Sequence, residues 1–160
     1  MPDVICDTSP IQYLHQLQAL PLLRQLAAQV FVPPAVVAEI ATGRGLGLDL
    51  PNLNELAWVT VRVPVRILAT PETADLGLGE SEVLALALEQ RDAVAILDDA
   101  LARRAARMLG VRLTGTLGVL LDAKRVGLIA QITPLLDRLQ SLGFRLAPHT
   151  RLAVIQLAGE

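Results

Sequence analysis

Short apolar segments alternate with helical segments along most of the chain, and this alternation is the strongest constraint on its fold. Five segments have the Val, Ile and Leu content of strands, at residues 4–6, 30–32, 58–65, 93–97 and 111–114. The segments between them repeat apolar residues at helical spacing. Strands that alternate with helices in this way predict an α/β fold, with a parallel sheet covered by helices on both faces.

The start and stop signals of the helices divide the chain further. We expect helices at 34–42, 79–90, 100–109, 116–124 and 132–142, and two short Leu-rich helices before residue 30 that separate near Pro21. Glycines at 43, 45 and 47 are expected to end the helix that begins at Pro34. Residues 144–146 are a candidate last strand, and the segment after Pro148 carries no assignment.

Length and composition favour one aliphatic domain over residues 1–160. Hydrophobic residues make up 52% of the chain and aromatic residues only 2%, so the core must consist of Leu, Val, Ile and Ala. The single cysteine, Cys6, cannot form an internal disulfide. No apolar run reaches the roughly 18 residues of a membrane span, and Met1-Pro2-Asp3 lacks the basic start of a signal peptide. We therefore expect a cytoplasmic protein without a membrane partner.

Charge is distributed unevenly along the chain. Residues 1–100 carry 13 acidic and 5 basic residues, a net charge of −8, whereas residues 101–160 carry 9 basic and 3 acidic residues, a net charge of +6. This asymmetry suits an acidic pocket that holds cations beside a surface that attracts polyanions. Ordinary solvated helix faces are the alternative interpretation.

Acidic residues follow the predicted strands at the positions where open α/β sheets bind ligands. Asp7 follows the first strand, Asp98 and Asp99 follow the strand at 93–97, and Thr116 follows the strand at 111–114. Two further acids lie on predicted helices with apolar faces, Glu39 and Glu80. Taken singly, the strand-end acids are also suited to helix N-caps, and the two glutamates to solvated helix faces.

Carboxylates that converge in this way repel one another unless cations lie between them. An all-oxygen ligand set without neighbouring His or Cys favours Mg²⁺ or Mn²⁺ over Zn²⁺. Such ions activate water and stabilise the attacking and leaving oxygens of phosphodiester cleavage. The residues therefore indicate metal-dependent phosphodiester chemistry, provided that the acids do converge.

Five segments together resemble PIN domains, the nuclease fold of VapC-type toxins. They are VICDTS at 4–9, VPPAVVAEI at 32–40, GESEVLALA at 79–87, ILDDALARRAA at 96–106 and LTGTLGVL at 113–120. The last three are similar to a PIN-like branch with G-E-x-E and D-D motifs. The resemblance covers about residues 3–145 and implies a three-layer α/β/α fold with a short, mostly parallel central sheet. It also implies an RNA-cleaving, Mg²⁺- or Mn²⁺-dependent ribonuclease, often the toxin of a toxin–antitoxin pair and usually a homodimer.

The resemblance also implies roles for particular residues. Asp7, Glu39, Glu80 and Asp99 match the acidic quartet that holds the metal and the attacking water, and Asp98 is able to replace or assist Asp99. Many VapC proteins have Asp at the third of these positions, and Glu82 competes with Glu80 for it. We favour Glu80 because Ala85 and Ala87 follow it at the family's spacing of small residues.

Hydroxyl and arginine side chains complete the predicted site. The hydroxyls of Ser9 and Thr116 are candidates to hold water or a phosphate oxygen, although Thr116 is equally suited to a helix N-cap. Arg103 and Arg107 lie four residues apart with Arg104 between them, so one helix face presents a cluster for the RNA backbone. A solvated helix face is again the alternative.

Two other functional classes remain open from the sequence. One is a catalytically inactive PIN-like module whose acidic groove docks a protein partner, such as an antitoxin. The other is a different α/β protein with an acidic pocket, such as a phosphoacceptor receiver or a phosphohydrolase. A haloacid-type phosphatase needs a second Asp two residues after the first, and Ser9 occupies that position here.

Overall fold

The computed structural model describes residues 1–160, and its central layer is a five-stranded parallel sheet. The strands are β1 (Val4–Cys6), β2 (Val30–Val32), β3 (Val59–Val61), β4 (Val94–Ile96) and β5 (Leu113–Thr114). Their order across the sheet is β3-β2-β1-β4-β5, and each neighbouring pair is parallel. The winding direction therefore reverses at the central strand β1, which creates a topological switch point between β1 and β4.

Eight helices surround this sheet. They are α1 (Thr8–Gln16), α2 (Leu22–Leu26), α3 (Pro34–Gly45), α4 (Leu78–Glu89), α5 (Ala100–Met108), α6 (Thr116–Arg125), α7 (Thr133–Ser141) and α8 (Pro148–Leu157). Single 3₁₀ turns lie at Leu53–Glu55 and Pro71–Thr73. The parallel sheet and its helices confirm the predicted three-layer α/β/α fold. No helix combines the length and the apolar character that a membrane span requires.

The central strand is buried on both faces. Ile5 lies opposite Phe31 of β2 and Ala95 of β4, and all three residues are buried. Because helices cover both sides of a parallel sheet, its strands are continuous apolar runs rather than alternating ones. Cys6 is fully buried as a free thiol within this core, as its position in an apolar strand predicts.

Several predicted element boundaries are wrong. Gly43 lies inside α3 instead of ending it, whereas Gly45 is the last residue of the helix and Gly47, with a positive φ of 83°, follows its C-cap. β3 ends at residue 61 rather than 65, since it is an edge strand and its one neighbour, β2, already ends at Val32. Residues 144–146 form no strand, and the unassigned segment after Pro148 forms α8.

Candidate active site

The aspartates and Thr116 of the predicted site lie at the carboxyl end of the sheet, around the switch point. Cys6 pairs with Ile96 at the ends of β1 and β4, and the N–H of Asp7 donates to the carbonyl oxygen of Ile96 at 3.2 Å. Asp7 and Asp98 therefore leave adjacent strands at the same edge. Thr116 follows β5, the next strand beyond β4. The fold thus brings three separate segments of the chain together, as the strand-end pattern predicts.

Asp7 is the most deeply buried acid of the site, with 4% of its surface exposed. It occupies the N-cap position of α1, but its side chain makes no capping hydrogen bond. Burial raises the pKa of Asp7 to about 7, and the Thr8 N–H offsets part of that rise. The negative charges of Glu80, Glu39 and Asp98 contribute to the same rise, to a smaller extent than burial. Asp7 is therefore a carboxylate whose ionised form needs a cation.

Glu39 connects the first turns of two other helices. Its carboxylate accepts a hydrogen bond from the Thr8 hydroxyl of α1 and one from the Gly79 N–H of α4, the latter at 3.2 Å. A Cβ atom at Gly79 would lie 2.7 and 2.8 Å from the two carboxylate oxygens of Glu39. Residue 79 must therefore be glycine for Glu39 to keep this position.

Glu82 makes the reciprocal contact between the same two helices. From α4 its carboxylate accepts the Ala35 N–H in the first turn of α3, at 2.8 Å. Each of the two helices thus caps the start of the other, through Glu39 in one direction and Glu82 in the other. The carboxylate of Glu82 is directed at the first turn of α3, whereas Glu80 interacts electrostatically with Asp7.

Glu80 lies in the first turn of α4, and its side chain bonds back to the N-cap residue of the same helix. Its carboxylate accepts the Gly77 N–H at 3.1 Å, and the side chain is half-buried. Burial raises the pKa of Glu80, the Gly77 N–H lowers it, and the charges of Asp99 and Glu39 raise it again. Glu80 therefore shares the negative field that acts on Asp7.

The two aspartates after β4 have different environments. Asp98 accepts the N–H and the hydroxyl of Thr116, at 2.8 and 2.6 Å. Burial raises the pKa of Asp98, and the Thr116 hydrogen bonds and then the charge of Arg103 lower it. Asp99 is exposed and is the N-cap of α5, where it accepts the Ala102 N–H at 3.0 Å. The capping alternative thus describes Asp99, and Asp98 is the aspartate beside Asp7.

The predicted substrate-binding residues also differ from one another. The guanidinium of Arg103 is half-buried and donates to the Leu97 carbonyl at 2.8 Å, whereas Arg107 is exposed. Thr116 is fully buried and is the first residue of α6, with Gly115 as the N-cap, so the N-cap alternative for Thr116 is wrong. Ser9 is half-buried in the first turn of α1, and its hydroxyl makes no hydrogen bond within the chain.

Sequence reasoning missed three residues that shape the site, namely Thr8, Gly79 and Gly115. Thr8 donates to Glu39, and Gly79 leaves room for that carboxylate. The available signal was position: each of the three residues is adjacent to a predicted site residue, and a glycine next to a functional side chain often allows close approach.

The donor chemistry of the site fits a hard divalent cation. The carboxylates of Asp7, Glu39, Glu80 and Asp98 offer only oxygen ligands, and the buried Asp7 carboxylate has no positive partner. In the structure no three acidic, His or Cys side chains converge closely enough to enclose an ion. The carboxylates of Glu39, Glu80 and Asp98 instead accept backbone N–H groups at the starts of α4 and α6.

Fold and site together define an α/β protein with an acidic centre at the switch point of a parallel sheet. The model of a PIN-domain family matches residues 3–160, so the chain belongs to the PIN-domain family. PIN domains are typically nucleases that use divalent metal ions and act on RNA. No curated protein matches the chain. The family match confirms the predicted resemblance to PIN domains, though not to the VapC-like branch, and decides against a phosphoacceptor receiver or phosphohydrolase.

Proposed function

We propose that this single PIN-like domain is a Mg²⁺- or Mn²⁺-dependent endoribonuclease, and that it is the toxin of a toxin–antitoxin pair. The observation that carries the proposal is Asp7, a buried carboxylate without a positive partner among other acids at the switch point. A buried charge of this kind is stable only with a cation beside it. In a PIN domain, that cation serves hydrolysis of the RNA backbone.

The proposed roles follow the positions of the acids. Asp7 and Asp98 would hold the ion from adjacent strand ends, and Glu39 would complete the negative charge from α3. A bound divalent ion supplies a Lewis acid that stabilises negative charge on the phosphate oxygens. Glu80 accepts the proton of the attacking water, because its raised pKa makes it a stronger base than an exposed glutamate. Asp99 orients α5 and adds negative charge beside Glu80.

RNA recognition would depend on phosphates and backbone shape. Only 2% of the residues are aromatic, so platforms for base stacking are scarce. The exposed Arg104 and Arg107 lie on α5, which begins at the acidic site, and the half-buried Ser9 hydroxyl is available to a phosphate oxygen. Affinity for RNA should therefore fall steeply with salt and depend little on base sequence.

The proposal also includes a biological role as a toxin. A cytoplasmic toxin of this class would act as a homodimer and be inhibited by a small antitoxin protein. The competing function is a catalytically inactive PIN-like module whose acidic groove docks a protein partner. The raised pKa of Asp7 favours the nuclease, since a groove that only docks an arginine-bearing partner does not require a buried carboxylate.

Cleavage of a mixed, structured RNA pool tests the proposal. We expect the purified chain to cleave RNA with Mg²⁺ or Mn²⁺ and not with EDTA. Asp7→Asn and Asp98→Asn should each lose the activity. Asp92→Asn is the matched control, because Asp92 is exposed at the opposite, amino end of β4 and should leave cleavage unchanged.

The outcomes separate the two functions. Cleavage that persists in both site variants would come from a contaminant. An inactive wild type with either ion would favour the docking module. For the toxin role, induced expression should arrest bacterial growth, and the Asp7→Asn variant should not.

A further inference from the structure

The side chain of Arg103 extends from α5 back to the turn that connects β4 with α5. Its Nη1 atom donates to the Leu97 carbonyl oxygen at 2.8 Å, and the side chain is half-buried. Leu97 is fully buried and immediately precedes Asp98. The guanidinium is thus fixed to the backbone that sets the direction of the Asp98 side chain.

Gly115 shows how closely this turn is packed. A Cβ atom at residue 115 would lie 2.9 Å from Arg103 Nη1, 2.9 Å from Asp98 Oδ1 and 3.1 Å from the Leu97 carbonyl oxygen. The φ angle of Gly115 is −140°, which any residue adopts, so space rather than backbone conformation explains the glycine. Two polar atoms of the β4–α5 turn and the guanidinium of Arg103 in α5 therefore converge on one point at the start of α6.

Asp98 is held from the opposite side by α6. The Thr116 N–H and hydroxyl both donate to its carboxylate, at 2.8 and 2.6 Å. Arg103 fixes the backbone on one side of Asp98, and Thr116 fixes the carboxylate on the other. Planar guanidinium groups suit such a site because they hold one acceptor and keep a charge beside another.

We propose that Arg103 is a positioning residue of the metal site, which fixes the Leu97–Asp98 turn so that the Asp98 carboxylate faces the ion beside Asp7. The inference rests on the proposed function and changes the role predicted from the sequence, which was RNA binding. Arg104 and Arg107 are exposed on the same helix and remain available to phosphates. The inward hydrogen bond of Arg103 sets it apart from both.

Mn²⁺ binding without RNA separates the two roles of Arg103. We would titrate the full chain with Mn²⁺ by calorimetry, as wild type, Arg103→Gln, Arg103→Lys and Arg107→Gln. Loss of a group that orients a metal ligand lowers metal affinity about 10- to 100-fold, so we expect that loss in Arg103→Gln. Arg103→Lys should recover part of the affinity. Arg107→Gln, four residues further along α5, should stay within twofold of wild type.

Gly115→Ala tests the same contact without removing the arginine, and thermal melting controls for loss of folding. Gly115→Ala retains the arginine in the chain but adds a methyl group 2.9 Å from Arg103 Nη1 and from Asp98 Oδ1, so it should displace these groups and lower Mn²⁺ affinity in the same way. Thermal melting without metal shows which variants are folded. Mn²⁺ affinities within twofold of wild type in the folded variants, with a raised KM for RNA in Arg103→Gln, would overturn the inference and restore the RNA-binding role.

The same experiment distinguishes this inference from the proposed function. A wild type that binds Mn²⁺ and cleaves RNA, beside an Arg103→Gln variant with unchanged Mn²⁺ affinity, overturns only the positioning role. A wild type that binds no Mn²⁺ overturns the metal-dependent function and the positioning role with it.

Discussion

Replacement of Gly79 by alanine should lower the activity of the site about 10-fold or more while leaving the protein folded. The added Cβ would lie 2.7 and 2.8 Å from the Glu39 carboxylate oxygens, closer than such atoms approach in proteins. The carboxylate must move, because it is the mobile end of a long side chain and the backbone of α4 is fixed. Its hydrogen bonds from Gly79 and Thr8 are then lost or distorted.

The expected change in stability is small because two effects oppose each other. Alanine is preferred over glycine within a helix by up to about 1 kcal/mol. Hydrogen bonds to a charged acceptor contribute about 1.5–3 kcal/mol, but Glu39 is exposed, so water replaces most of what is lost. We expect a net change within about 1 kcal/mol, or roughly 2–4 °C in Tm. A displaced carboxylate should nevertheless lower Mn²⁺ affinity and RNA cleavage about 10-fold or more.

Calorimetric Mn²⁺ titration, RNA cleavage and thermal melting together measure this prediction. Gly45→Ala is the matched control, since Gly45 also lies in a helix and a Cβ there meets no atom within 4 Å. The control should match wild type in both metal binding and cleavage. If Gly79→Ala also keeps both within twofold of wild type, Glu39 does not need its observed position, and its place in the site is wrong.

Three further predictions concern individual acids. Glu82→Gln keeps an acceptor for the Ala35 N–H, so RNA cleavage should stay within a few-fold of wild type. Glu80→Gln should abolish cleavage. Equal losses in a cleavage assay would contradict the assignment of Glu80, rather than Glu82, to the site. Without divalent ions, wild type should lose stability as pH rises from about 4 through 7, because the pKa of Asp7 is raised to about 7 on folding. At pH 8 the free energy of unfolding of Asp7→Asn should then exceed that of wild type by up to about 4 kcal/mol, and its Tm should be higher. A lower Tm would refute this prediction. Backbone and side-chain donors, those of Ile132 and Thr133 among them, hold the pKa of Glu160 at about 2, so its stabilisation should fade below about pH 4.5. Glu160→Gln should flatten that acidic limb of a Tm–pH profile, and an unchanged limb would exclude it as a cause.

The sequence predicts the ends of a strand best where a residue directly after the strand marks its end. β1 and β2 have the predicted ends because Asp7 and Pro33 follow β-branched runs. The strand predicted at 58–65 is shortened because its length depends on β2, a partner that its own pattern cannot reveal. The helix after Pro148 has only one buried residue, Val154, so its apolar pattern is too weak to be recognised.

The acids of the site are predictable because strand ends and family motifs mark them, but their individual roles are not. The choice between Asp98 and Asp99, or between Glu80 and Glu82, depends on which backbone N–H each carboxylate meets. Glu82 meets Ala35, 47 residues earlier in the chain, and such pairings arise only after the helices pack.

Backbone contacts explain how four of the acids of the site are stabilised before a metal ion binds. Glu39 and Glu80 accept N–H groups at the start of α4, Asp98 accepts one at the start of α6, and Asp99 caps α5. Helix N-termini stabilise nearby negative charge by about 0.3–1 kcal/mol each, so these four carboxylates are partly neutralised by the backbone. Asp7 makes no capping bond and has its pKa raised to about 7. The requirement for a cation is therefore concentrated at Asp7, and removal of the ion should weaken activity without unfolding the protein.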